Sequence, residues 1–301
     1  ALGSCVIGHS SIFFILTMGI DKKTKAWIEA MRLRTLPVAL AGVLAAIGFN
    51  LLDHTFKCLP ALLCLLFAEM CQTASNFANE YYDFRAGRDR VGREGPRRGV
   101  TEGDITPEAM KTATYTTLAA ACCIGMALTY WGGLWLISVG LIVAAGAMAY
   151  SAGPYPLSTH GLGEVAVVLF FGLVPVNFTY YIQALSWSMP VFAASLAVGL
   201  MGANVLIVNN YRDADDDQAT GKRTLAVRFG AGKTIMLYRL NAIAGALLSI
   251  PGWLATGRLT LIFPILYLFA ALAIARALGR RKGAAINPLL GMTAVSMAAY
   301  W

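Results

Sequence analysis

Long apolar segments recur along the whole chain and constrain its fold more than any other feature of the sequence. A helix of about 20 apolar residues crosses the hydrocarbon core of a bilayer. Nine segments meet or approach this length: 36–52, 59–78, 113–131, 134–151, 163–184, 189–209, 234–256, 259–277 and 285–301. Lipid offers the backbone no hydrogen-bond partners, so such segments cross as helices. We therefore predict an all-α, polytopic membrane protein with about nine transmembrane helices in a bundle around a central pocket, capped by cytoplasmic loops.

The composition argues against a soluble globular domain. Hydrophobic residues make up 57% of the 301 residues and charged residues 13%, whereas a soluble domain carries roughly 25% charged residues. We expect residues 26–301 to form a single transmembrane domain and residues 1–25 to form an N-terminal arm. The apolar run within residues 1–17 is too short to span a bilayer, so we expect an extension ahead of a start at Met18.

Basic residues lie on one side of the predicted bundle. The net charge is +8, and all but two of the 24 Lys and Arg residues fall within 22–34, 85–111, 212–239 and 276–282. Nine spans put these stretches on one face and Lys57 and Arg258 on the other. Basic residues stay preferentially on the cytoplasmic side, so we predict a multi-pass protein of the cell inner (cytoplasmic) membrane, with cytoplasmic N-terminus and polar loops. The charge is thereby explained, and we expect no nucleic-acid partner.

Two polar motifs with helical spacing follow the second and sixth apolar segments. The first has steps of four, three and four residues, and the second has steps of four, so each set shares one helical face. The motif residues are Gln72, Asn76, Asn79 and Asp83 in the first, and Asn209, Asp213 and Asp217 in the second. Each motif opens a polar segment, 79–112 or 210–233, which indicates two related halves that face one pocket.

Carboxylate and amide oxygens in two facing stripes suit Mg²⁺, which is held by one or two carboxylates together with substrate phosphates. We predict catalytic roles for Asp83, Asp213 and Asp217. The predicted metal ligands are Asn79, Asp83, Asp89, Asn209, Asp213 and Asp217. The predicted substrate-binding residues from the motifs and the basic loops after them are Gln72, Asn76, Asn79, Asn209, Arg98, Lys222 and Arg223. Pairing with arginines at a wet interface explains Asp89, Asp215 and Asp216 equally well.

The motifs and their surroundings resemble the UbiA superfamily of intramembrane aromatic prenyltransferases, over most of residues 26–233. The resemblance is carried by segments 33–37, 79–84, 95–103, 153–154, 161–164, 209–213 and 221–225. Its nearest branch comprises the 1,4-dihydroxy-2-naphthoate polyprenyltransferases of menaquinone synthesis. The resemblance implies nine helices, two Asp-rich motifs and a substrate-binding role for Tyr150. One departure is the loop after Tyr150-Ser151, which lacks the lysine of many superfamily members.

The function that the resemblance implies is Mg²⁺-dependent transfer of a polyprenyl group from its diphosphate to 1,4-dihydroxy-2-naphthoate, with loss of CO₂ and formation of demethylmenaquinol. Other aromatic acceptors stay open, namely 4-hydroxybenzoate, homogentisate, a chlorophyllide or haem. A cation transporter that uses the three motif aspartates is a further alternative. It is disfavoured because transporter sites lie near mid-membrane, whereas these acids lie at the ends of spans. The oligomeric state and the tail length stay undetermined.

Overall fold

The computed structural model describes residues 21–33, 35–92 and 95–301, and these residues form helices and loops without a strand. The predicted all-α fold is confirmed. The longer helices, in chain order, are α1 Lys22–Met31, α2 Leu36–Leu52, α3 Cys58–Arg85, α4 Pro107–Gly132, α5 Leu136–Ala149, α6 Gly163–Ala184, α7 Met189–Arg212, α8 Ala214–Ala219, α9 Leu225–Thr256, α10 Ile262–Leu278 and α11 Asn287–Tyr300. The predicted extension 1–17 with Met18, and the basic residues Arg34 and Arg93, lie outside the described residues.

A helix lies at each of the nine predicted apolar positions of the described chain. Six of these helices are long and apolar enough to cross a membrane, namely α3, α4, α6, α7, α9 and α10 with the short turn before it. A seventh candidate arises when α1 and α2 are counted as one bent span, and α5 is a shorter apolar helix. The chain is therefore a multi-pass membrane protein.

Helix α7 is the central helix of the bundle, since 72% of its apolar window is buried, against 17% for α4. Small residues let other backbones approach α7 closely, as is usual between membrane helices. A Cβ added at Gly199 would lie 2.8 Å from the carbonyl oxygen of Val168 on α6. The middle of α7 is thus packed closely against α6.

The helices extend further into the polar segments than the apolar runs do. Helix α3 continues through Arg85, so Asn79 and Asp83 lie on its last turns, and α4 begins at Pro107 after the Thr106 cap. Of the described residues in the predicted loop 79–112, only 86–92 and 95–106 lie outside helices. In the second segment, α9 already begins at Leu225. Hydropathy falls where polar residues begin, whereas backbone hydrogen bonds continue.

Candidate active site

A polar cavity with an empty volume of about 1790 Å³ lies at the end of the bundle that carries both motifs. Helix α1, the ends of α3 and α7, and the loops after them surround it. The predicted site residues that line this cavity are Gln72, Asn76, Asn79, Arg98, Tyr150, Asn209, Asp213, Asp217 and Lys222. The fold therefore brings residues that are up to 150 positions apart into one chamber.

The side chain of Asn79 makes four hydrogen bonds, to Asp83, Ser151, Arg98 and Arg32. Its amide nitrogen lies 3.3 Å from Asp83 Oδ2 and 3.0 Å from the hydroxyl of Ser151, and donates to both. Its carbonyl oxygen accepts from Arg98 at 3.1 Å and also from Arg32. Since both arginines line the cavity, positive charge lies beside the oxygen atoms of the first motif.

The Lys222 side chain joins the two motifs. Its ammonium donates to Asp83 Oδ2 at 2.9 Å and lies 3.9 Å from Asp217 Oδ1. Arg88 approaches the other oxygen of Asp83 at 3.6 Å. Asp83 has no exposed surface, and Lys222 keeps only 9% of its own. A charge-assisted contact of this kind is stronger than a neutral hydrogen bond, so one cation holds carboxylates from both halves together.

The second motif does not follow one continuous helix as the spacing predicted. Helix α7 ends at Arg212, Asp213 lies at the junction, and α8 carries Asp217. The helical hydrogen bonds nevertheless continue, because Asp213 N–H donates to Asn209 and Asp217 N–H donates to Asp213, at 3.1 and 2.8 Å. The three side chains therefore still line the same cavity.

Two arginines of the site were not singled out from the sequence. Arg212 donates to both oxygens of Asp213 at 2.7 and 2.9 Å and to Asn209 at 2.8 Å. Arg32 ends α1 in a left-handed conformation and reaches Asn79 across the cavity. Arg212 lies between Asn209 and Asp213 of the second motif, so its position in the sequence could have indicated a place in the site. Arg32 gave no such signal, because it was one of several basic residues within 22–34.

Three predicted site residues are not in the cavity wall. Asp83 lies behind Lys222, and Asp89 is buried, with its carboxylate 3.4 Å from the Arg98 guanidinium. The Arg223 side chain is exposed, while its backbone N–H donates to the Thr159 carbonyl at 2.8 Å. Two other aspartates had also been explained equally well by pairing with arginines: Asp216 pairs with Arg90, and Asp215 is exposed.

The donor set fits a hard divalent cation in combination with phosphate. One oxygen of Asp83 is buried and accepts no hydrogen bond, and amide and carboxylate oxygens of both motifs lie close by. Among the described residues, no three acidic, His or Cys side chains are grouped as a metal site. Mg²⁺ sites commonly take only one or two carboxylates and complete their coordination with phosphate oxygens and water, and this donor set has the same character.

An apolar cavity with an empty volume of about 1070 Å³ adjoins the polar cavity. It runs between α2, α3, α4, α5 and α6, away from the motifs. Gln72, Ser75, Tyr150, Val167 and Phe171 line both cavities and form the neck between them. The two chambers together suit a ligand with an anionic head and a long hydrocarbon tail.

Helix α1 and the loop 95–106 form a cap beside the polar cavity. Asp104 binds Lys22 of α1 and Arg97 of the loop, each at 2.6 Å, and Arg97 also lies 3.9 Å from Glu29 of α1. The hydrogen bond from Lys22, followed by that from Arg97, lowers the pKa of Asp104. Arg97 and Glu29 line the cavity, so ion pairs hold its rim together.

The fold and the site together define an intramembrane enzyme for amphipathic, anionic substrates. The match of residues 35–288 to the family model shows that the chain belongs to the UbiA prenyltransferase family. This confirms the family that the two motifs had indicated.

Two bacterial proteins with the same name are similar to this chain. A Mycobacterium tuberculosis protein named 1,4-dihydroxy-2-naphthoate octaprenyltransferase is 41% identical over 73% of this chain and 76% of its own length. The Escherichia coli protein of the same name is 36% identical over 69% of this chain and 70% of its own length. Similarity to both extends over most of each protein.

A solved structure has the same fold. A UbiA homolog from Archaeoglobus fulgidus, bound to GPP and Mg²⁺, aligns with a TM-score of 0.66 and covers 91% of this chain and 97% of that one. Its sequence is 17% identical, so the likeness concerns the helical architecture.

Proposed function

We propose that the protein transfers a polyprenyl group from an allylic polyprenyl diphosphate to 1,4-dihydroxy-2-naphthoate with Mg²⁺, releasing CO₂ and forming demethylmenaquinol. The observation that carries this proposal is the pair of cavities that share a neck. The polar chamber joins both motifs through Lys222, and the apolar chamber begins directly behind Tyr150 and Phe171. The names of the bacterial relatives support the choice of acceptor.

The polar chamber binds the diphosphate in this proposal. Arg32, Arg98 and Lys222 line it, and guanidinium and ammonium groups are the usual partners of phosphate oxygens. Asn79, Asp83, Asn209, Asp213 and Asp217 would hold Mg²⁺ through their side-chain oxygens. When bound, the metal would supply positive charge to stabilise the departing diphosphate.

The reaction begins when the C–O bond to the diphosphate breaks and its electron pair leaves with the phosphate oxygen. Lys222 and Arg98 offset the charge that develops there. A nucleophilic ring carbon of the naphthoate then forms a bond to the allylic carbon, and the carboxylate on that ring carbon leaves as CO₂. The electron pair of the broken C–C bond restores the aromatic ring, so no side chain has to remove a proton from that carbon.

The tail extends into the apolar chamber, where burial keeps water from the cation. Water exclusion is needed because any water at the neck would capture the cation as an alcohol.

We further propose that the polar end of the bundle faces the cytoplasm of an inner membrane, since the basic residues concentrate on that side. Labelling of single cysteines in the 95–106 loop and beside Lys57, from each side of oriented vesicles, tests this orientation.

The acceptor is tested by competition. Purified protein in liposomes receives one polyprenyl diphosphate, Mg²⁺ and an equimolar mixture of 1,4-dihydroxy-2-naphthoate, 4-hydroxybenzoate and homogentisate. The proposal predicts that the prenylated naphthoquinol dominates the products. Dominance of another prenylated ring would leave prenyl transfer intact and contradict the acceptor.

A further inference from the structure

The segment of α6 beside the neck is wound as a π-helix over Val168–Leu173, which ends two residues before Pro175. Such wide turns are rare and are found often at functional sites. Proline has no backbone N–H, so it leaves the carbonyl four residues earlier, at Phe171, without its α-helical partner. The winding therefore changes at the level where the two cavities meet.

The wide turn affects which side chains face the cavities. The α6 residues that line the apolar cavity come in adjacent pairs, and each pair follows the previous one by four positions. The pairs are Ala166-Val167, Phe170-Phe171, Val174-Pro175 and Phe178-Thr179. In a regular α-helix each step of four would move the wall about 40° around the axis, or about 120° from Val167 to Thr179. A π-helical turn contains more residues and reduces this drift, so Phe170 and Phe171 stay on the same side of the helix as the lining pairs before and after them.

Close backbone packing holds the segment on two sides. A Cβ added at Gly42 of α2 would lie 2.7 Å from the Phe171 carbonyl oxygen, and one added at Gly172 would lie 2.5 Å from Cα of Gly199 on α7. The backbone of Phe171 is thus fixed between two neighbouring helices. Its ring packs against the main hydrophobic core while it lines the cavities.

Phe170 and Phe171 differ in what they line. Phe170 lines the apolar cavity only, whereas Phe171 lines both cavities and so belongs to the neck. If the diphosphate occupies the polar cavity and the tail the apolar one, the carbon between them lies at the neck. That carbon is the one that becomes cationic when the C–O bond breaks.

We propose that Phe171 is a catalytic residue whose ring face stabilises the allylic cation at the neck. This inference rests on the proposed prenyl transfer and adds a role that neither motif supplies. An aromatic face attracts a cation more strongly when water is excluded, and the ring blocks water from the carbon. Escape of the cation to water would join a water oxygen to the allylic carbon, release one proton and give the prenyl alcohol.

Fluorinated phenylalanines at position 171 test the role without a large change of shape. Each added fluorine weakens the ring's attraction for a cation, so kcat is expected to fall stepwise, by about tenfold in total from Phe to trifluoro-Phe. Phe171→Leu is expected to lower kcat by at least that factor and to raise the share of prenyl alcohol. Phe171→Trp is expected to retain more activity than Phe171→Leu.

Two further positions serve as comparisons. Phe170 is next in sequence but touches the tail chamber, so its fluorinated series is expected to change KM for the donor and to show less than half the kcat slope of the 171 series. Phe192, on the exposed surface of α7, is expected to show no slope. A flat series at Phe171, or equal slopes at Phe170 and Phe171, would overturn the inference. Absence of Mg²⁺-dependent turnover in the wild type would instead overturn the proposed function.

Discussion

Lys222 and Asp83 are 139 residues apart in sequence, yet the lysine ammonium donates to the aspartate at 2.9 Å inside the bundle. The same ammonium lies 3.9 Å from Asp217 of the second motif. A buried carboxylate is costly unless it is paired, so this cation stabilises the arrangement in which the two motifs face each other. It also places a positive charge at the wall of the polar cavity.

Replacement of Lys222 by Met is therefore expected to lower kcat by about 10²–10³, the usual effect of removing one donor to a developing negative charge. Lys222→Arg is expected to be intermediate, because the charge stays and the geometry changes. The measurement is steady-state prenyl transfer in liposomes. Lys233→Met, on the exposed surface of α9, is the matched control, and an equal loss in both variants would contradict the role of Lys222.

Asp217 of the second motif and the neighbouring Asp215 are expected to differ sharply in their effect on turnover. Asp217 is buried and lines the cavity, whereas Asp215 is exposed two positions earlier on the same short helix. Asp217→Asn is expected to lower turnover by at least about 100-fold and to raise the Mg²⁺ concentration for half-maximal rate, since a metal ligand contributes several kcal/mol. Asp215→Asn is expected to stay within about twofold. Mg²⁺ titrations of both variants check this, and similar curves would rule out Asp217 as a ligand.

Low pH is expected to weaken the attachment of α1 to the loop 95–106, because protonation of Asp104 removes its ion pairs with Lys22 and Arg97. The pKa of this carboxyl is lower in the folded protein than its ordinary value of 3.8. Its ion pairs therefore stabilise the cap fully above about pH 4, and this contribution disappears as the pH falls through the folded pKa. Hydrogen exchange of the α1 amides, compared with Asp104→Asn at each pH, measures the effect. The two proteins are expected to differ above pH 4 and to converge below it, and a constant difference would be inconsistent with this pairing.

A small side-chain addition beside Phe170 is expected to weaken the binding of a long-chain donor in the apolar cavity. A Cβ added at Gly146 would lie 2.2 Å from this ring, whereas one added at Gly140 on the same helix would enter open space within the described part of the chain. Gly146→Ala must displace the ring, so KM for a long-chain diphosphate is expected to rise by about tenfold, and KM for a five-carbon donor by less. The Gly140→Ala variant provides the comparison. Equal effects of Gly146→Ala on long and short donors would argue against a tail in this chamber.

The positions of the helices could be predicted because hydropathy is a local property of the chain. The runs that predicted spans at 59–78 and 189–209 correspond to α3 and α7. The four-residue spacing of Asn209, Asp213 and Asp217 correctly predicted that they share one side, although the helix breaks at Asp213. The boundaries were less predictable. Polar residues 79–85 end an apolar run, but they continue the helix.

The contacts that assemble the site could not be predicted, because they depend on packing between distant segments. Nothing near Arg32 indicated that it would reach Asn79, and the apolar run around Phe170 and Phe171 contained no signal for a wide helical turn. Arg98 and Lys222, both predicted from the sequence, line the cavity, whereas the Arg223 side chain is exposed. The spacing showed which residues share a face, and the tertiary fold decided which faces meet.

The most direct test of the proposed reaction follows three products in one vessel. Protein in liposomes receives a polyprenyl diphosphate and 1,4-dihydroxy-2-naphthoate labelled in its carboxyl carbon, with Mg²⁺ or with a chelator. The proposed mechanism predicts prenylated naphthoquinol, free diphosphate and labelled CO₂ in equal amounts, with Mg²⁺ only, and none of them from Asp83→Asn. Prenylated product that retains the labelled carboxyl group would contradict the proposed reaction at its central step.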